Sequence, residues 1–97
     1  MARNENVTVP AETWTQLTNA NASAVRVSNL SGFRIELQAT SDTTAPTVLD
    51  GTVPLDSGLT LNGDVTLASL YPGVTTPVRL WAFCRFAVEV SVSHADA

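Results

Sequence analysis

Between Val78 and Val92 every even position is apolar: Val78, Leu80, Ala82, Cys84, Phe86, Val88, Val90 and Val92. The odd positions read Arg79, Trp81, Phe83, Arg85, Ala87, Glu89 and Ser91. A period of two sends successive side chains to opposite faces of a pleated strand. One face of this stretch is therefore apolar throughout and the other is mixed. Fifteen extended residues would span about 50 Å at roughly 3.3 Å each, too long for so short a chain. A break is expected at Cys84-Arg85-Phe86, with strands near 78–83 and 87–93. Parity asks for an odd loop between them, Phe83–Ala87.

The same pattern recurs in shorter runs. Val7 and Val9 alternate with Asn6 and Thr8, predicting a first strand that Pro10 ends. Trp14 to Leu17 reads as a second, with Trp14 and Gln16 facing away from Thr15 and Leu17. Residues 24–29 and 33–40 read as two arms of a hairpin. Val25 and Val27 share a face with Phe33, Ile35, Leu37 and Ala39 if Leu30-Ser31-Gly32 is a three-residue loop. Gly32 then supplies the positive φ such a loop takes, and Arg26 lies opposite Glu36 as a cross-strand ion pair. Thr47–Leu49 reads as a brief strand. Leu59–Leu61 and Val65–Leu67 read as a second hairpin around Asn62-Gly63-Asp64. Ala68–Tyr71 fits one helical turn, ended by Pro72-Gly73.

Seven or eight short strands separated by turn signals, with at most one turn of helix, predict an all-β fold. The expected architecture is a small antiparallel β-sandwich or jelly-roll-like barrel. Ninety-seven residues fit one domain. The expected boundaries are a flexible N-terminal arm over 1–6 and a single β domain over 7–95.

Composition narrows the function classes. Apolar residues make up 44% and charged residues 14%, well below the usual charged share of about 25%. Low charge without low hydrophobicity argues against disorder. The net charge is −4, and the five basic residues are all arginines, at positions 3, 26, 34, 79 and 85. They are scattered, whereas binding along a phosphate backbone needs a concentrated basic patch, so no nucleic-acid partner is expected. The polar start of the chain predicts no secretory leader. No apolar run approaches the ~18 residues of a membrane span, so no membrane association is expected. The sequons at Asn6, Asn21 and Asn29 read as products of a Thr/Ser/Asn-rich composition.

Catalytic chemistry finds little to use. Cys84, the single cysteine, is in phase with the apolar face and reads as a buried small hydrophobe. His94 is the single histidine, and His94-Ala95-Asp96 has too few ligands for a metal site. The loop carboxylates Asp42, Asp50, Asp56 and Asp64 sit beside Gly, Ser or Thr, where Asp serves turns, and none has the spacing of a calcium loop. No enzyme activity, cofactor or metal is expected. The mixed face is more informative. Trp81 and Phe83 lie between Arg79 and Arg85, and aromatic and Arg side chains are enriched at binding hot spots. Arg79, Trp81, Phe83 and Arg85, with Trp14, form the candidate interface, unless other parts of the chain cover this face.

Three stretches together carry a resemblance. They are Val7-Thr8-Val9-Pro10-Ala11-Glu12-Thr13-Trp14-Thr15-Gln16-Leu17-Thr18, the turn Asn29-Leu30-Ser31-Gly32-Phe33, and the run from Leu67-Ala68-Ser69-Leu70-Tyr71-Pro72-Gly73 through Arg79-Leu80-Trp81-Ala82 to Val92-Ser93-His94-Ala95. The chain resembles the small β-rich structural proteins of tailed bacteriophages, departing from them at Cys84-Arg85-Phe86, where a more polar turn is expected. The resemblance implies a non-enzymatic virion protein that decorates or cements the capsid. It implies the major capsid protein or other virion subunits as partners, and homo-oligomers, trimers foremost. It places the chain on the virion surface after synthesis in the host cytoplasm. The alternative is a receptor- or glycan-binding module of a tail fibre or baseplate, which needs an accessible aromatic platform.

Overall fold

The computed structural model describes residues 2–95. Eight strands and one helical turn follow in the order β1 (Arg3–Val9), β2 (Thr15–Gln16), β3 (Arg26–Asn29), β4 (Ile35–Thr40), β5 (Val53–Leu55), β6 (Thr60–Leu61), α1 (Leu67–Leu70), β7 (Arg79–Phe83) and β8 (Val88–His94). They form two antiparallel four-stranded sheets. The first has the order β1-β8-β3-β6 and the second β2-β7-β4-β5. This is the jelly-roll arrangement, eight strands in two Greek keys. Only β4 and β5 are both consecutive and paired. Every other pairing joins strands distant in sequence.

Alternation explains why these segments are strands. β4 and β8 bury every second residue: Ile35, Leu37 and Ala39 from one, Val88, Val90, Val92 and His94 from the other. Val27, Leu80, Ala82 and Cys84 join them between the sheets, with Leu17, Val25 and Leu67 also fully or nearly fully buried. β-branched side chains suit this pleated, half-buried environment. The domain measures 30 × 27 × 19 Å, so 78–92 has no room to run as one strand. It breaks at 84–87, as its length requires.

The break does not make a hairpin. β7 lies in the second sheet and β8 in the first, so 84–87 carries the chain across the sandwich. The same correction applies to 24–40. β3 pairs with β8 and β6, while β4 pairs with β7 and β5. Both arms still point their apolar side chains at one interior, because an arch between two sheets imposes the same parity as a hairpin within one. Gly32 accordingly does not take a positive φ; Gly51 and Gly58 do. The expected Arg26–Glu36 pair is absent among the described residues. Arg26 donates to the hydroxyls of Ser28 and Ser91, both at 3.0 Å, and Glu36 pairs with Arg34 at 3.0 Å.

Three further expectations change. The segment 59–67 is not a hairpin: β6 pairs with β3, and Leu67 begins α1, capped by the Thr66 hydroxyl, which accepts from the Ser69 N–H at 3.1 Å. Residues 47–49 are not a strand, and β5 follows at 53–55 instead. Most of the expected N-terminal arm is a strand. Arg3 to Asn6 continue β1 in unbroken register with β8, from Arg3 opposite His94 to Val9 opposite Val88. These residues are polar because an edge strand with little buried beneath it needs no apolar alternation; backbone pairing holds it.

Candidate functional site

The second sheet has an inner face in the core and an outer face that gathers the sequence-predicted residues. Register places Phe83 opposite Glu36, Trp81 opposite Gln38 and Gln16, and Arg79 opposite Thr40. Trp14 packs against Phe83 with ring centroids 5.4 Å apart and planes tilted by 45°, a separation within the range of interacting aromatic pairs. Arg79, Trp81, Phe83 and Trp14 thus share one face, with Arg85 in the crossing at its end.

Their accessibility differs. Trp81 is only 6% exposed, and its indole N–H donates to the Thr40 hydroxyl at 2.8 Å. It is a structural member of the sheet and not an open platform. Arg79 donates from Nε to the Asn21 side-chain oxygen at 2.9 Å, which ties the 19–23 turn to β7. Phe83 is half-buried and Arg85 exposed.

Accessible apolar surface lies beside them. Phe33 and Phe86, 47% and 51% exposed, stack with centroids 4.4 Å apart. With Leu49, Phe83 and Cys84 they line an open cleft of about 470 Å³, whose polar wall is Arg34, Glu36 and Arg85. Glu36 is fixed from two sides, by Arg34 Nε at 3.0 Å and by the Thr52 hydroxyl at 2.9 Å. Gln38 donates to the Asp50 carbonyl at 3.0 Å, holding the 41–52 loop near the cleft. Leu30 and Leu59, also exposed, belong to turns joined at Asn29, whose N–H donates to Leu59 O at 2.9 Å.

Phe33, Leu49 and Phe86 are the site residues that the sequence pattern misses. Phe33 and Phe86 are in phase with the apolar face, which predicts them buried. Period two constrains side chains only inside a strand, and both phenylalanines sit in the crossings between sheets. Their signal is position: each lies within three residues of a strand end, in a segment that carries the chain across the sandwich.

Other candidate chemistry resolves into structure. Cys84 is buried and donates weakly to the Arg34 carbonyl at 3.5 Å. His94 is buried at the end of β8; the Asn19 N–H donates to its Nε2 at 3.4 Å, and Nδ1 lies 3.1 Å from Ala95 O. Those contacts suit the tautomer with the proton on Nδ1. Asp96, its suggested companion, lies outside the described residues. Among the described residues no three His, Cys, Asp or Glu side chains gather as metal ligands. Asp42 caps its own turn, accepting from the Thr44 N–H at 2.9 Å. No helix among the described residues is long and apolar enough to cross a membrane. Comparison with protein-family models, with curated proteins and with solved structures finds no match.

Proposed function

We propose that this chain is a non-enzymatic structural subunit of a phage particle, a decoration or cement protein that binds the assembled head through the outer face of its second sheet. The observation that carries the reading is the exposed Phe33–Phe86 pair beside the cleft. Stacked aromatics between arginines are the composition of a docking surface's energetic centre. Jelly rolls occur in both viral capsid and lectin domains, which supports the class of role without assigning it. The histidine and the cysteine engage backbone atoms of their own chain, an arrangement that suits a scaffold.

The test is co-sedimentation with assembled heads of the encoding phage. Wild-type chain is expected to pellet with heads and not to bind unassembled capsid protein. Phe33→Ser combined with Phe86→Ser should weaken head binding at least tenfold with an unchanged circular dichroism spectrum. Equal binding by the double variant, or no binding by wild type, would overturn the proposal. Capture on a glycan array that the same double variant abolishes would move the cleft to the receptor-binding reading.

A further inference from the structure

A jelly roll leaves four strand edges open, and three of these are blunted. β2 and β6 are two residues long, and β5 is three residues with Pro54 at its centre. Short edges and edge prolines are the devices by which β proteins avoid pairing with other chains. The fourth edge lacks them. β1 is seven residues long, contains no Gly, Pro or Lys, and runs without a bulge along β8. Among the described residues no backbone hydrogen bond reaches β1 from any strand but β8. Its outward side chains, Asn4, Asn6 and Thr8, are exposed and uncharged.

We infer that β1 is a pairing edge and that its occupant is β1 of a second copy, antiparallel about a two-fold axis at Asn6. That register uses the whole strand. Asn6 faces Asn6 of the other copy, Asn4 faces Thr8, Glu5 faces Val7 and Arg3 faces Val9, so no like charges oppose each other and all seven residues pair. Moving the axis to Glu5 would set two carboxylates face to face, which is destabilising. Of the two charges in the strand, the half-buried Arg3 is engaged within the chain and Glu5 is exposed. Arg3 lies 3.2 Å from Glu5 Oε1 and donates to the Leu17 carbonyl at 2.8 Å. The two first sheets then become one eight-stranded sheet. A two-fold contact of this kind makes dimers, in place of the trimer the resemblance implies. The cleft includes no residue of β1, so this inference stands apart from the head-binding proposal.

Analytical ultracentrifugation across a concentration series tests it. Wild-type chain is expected to approach twice its 10.2 kDa mass. Asn6→Lys with Thr8→Lys should raise the dimer dissociation constant at least tenfold with an unchanged circular dichroism spectrum. Asn6→Cys should cross-link two copies on mild oxidation, because directly opposed strand residues lie within disulfide reach; wild type, with only the buried Cys84, should not. The cross-link also decides the matter if the lysine variant fails to fold. A monomer at every concentration, or an oligomer that ignores the lysines and forms no Asn6→Cys cross-link, would overturn the inference.

Discussion

Asn29 shows how much one buried polar side chain can hold. It is 1% exposed and uses both ends of its amide. Nδ2 donates to Phe33 O at 2.7 Å and Leu55 O at 3.0 Å, and Oδ1 accepts from the Ser31 N–H at 3.0 Å. Leu55 belongs to the opposite sheet, so Asn29 ties the two sheets at the end that carries the aromatic cleft. Its sequon is closed to a glycan by this burial. Asn29→Ala removes the donor to the Leu55 carbonyl and the acceptor of the Ser31 N–H, while Phe33 O keeps the Ser31 hydroxyl at 3.0 Å; it should cost on the order of 2 kcal/mol, read as a lower midpoint in urea. Tyr71 is the opposite case. It is the single tyrosine, buried beside α1, and its hydroxyl has no partner among the described residues. Burial pushes its pKa well above the ordinary phenol range. The folded chain therefore holds that proton more tightly than the unfolded chain. The resulting stability is present below about pH 10 and is lost as the pH rises beyond it. Tyr71→Phe should fold at least as stably at pH 7 and lose that part of the alkaline decline, measured by urea midpoints from pH 8 to 12.

At the scale of elements, alternation specifies which residues face inward and leaves open which sheet they join. Ile35, Leu37 and Ala39 face the core as their spacing requires. The 24–40 segment nevertheless arches between sheets, because the parity that licenses a hairpin licenses an arch equally. Strand partners in a jelly roll are set by packing across the whole domain, which no local window contains. The extension of β1 through Arg3–Asn6 was illegible for another reason: the edge of a sheet is solvated, so its residues carry no periodic signal. Of the site, the shared face of Arg79, Trp81 and Phe83 was legible from their alternation, whereas Trp14 joins it through the β2–β7 pairing, and neither that pairing nor the Phe33–Phe86 cleft, built from crossings, was legible. A paired measurement checks the inward and outward assignment. Leu37→Ala, in the centre of β4, should cost about 2–5 kcal/mol. Leu49→Ala, half exposed at the cleft, should stay within about 0.5 kcal/mol.

For the whole molecule, the strand order has kinetic and functional consequences. Five of the six strand pairings join non-consecutive strands, and the cost of closing such long loops precedes the contacts that reward it. Refolding measured by stopped-flow fluorescence of Trp14 and Trp81 should take milliseconds to seconds. Once formed, the sandwich offers two separate surfaces. The first sheet ends in a long open edge, and the second presents an aromatic cleft at one end of its outer face. A subunit with both could pair with its own kind while attached to a larger lattice. The most direct test of the head-binding proposal is an image reconstruction of the intact particle. Jelly-roll density is expected on the outside of the head, with Phe33 and Phe86 turned into the contact with the capsid. Heads bare of that density, or subunits bound with the cleft open to solvent, would contradict it.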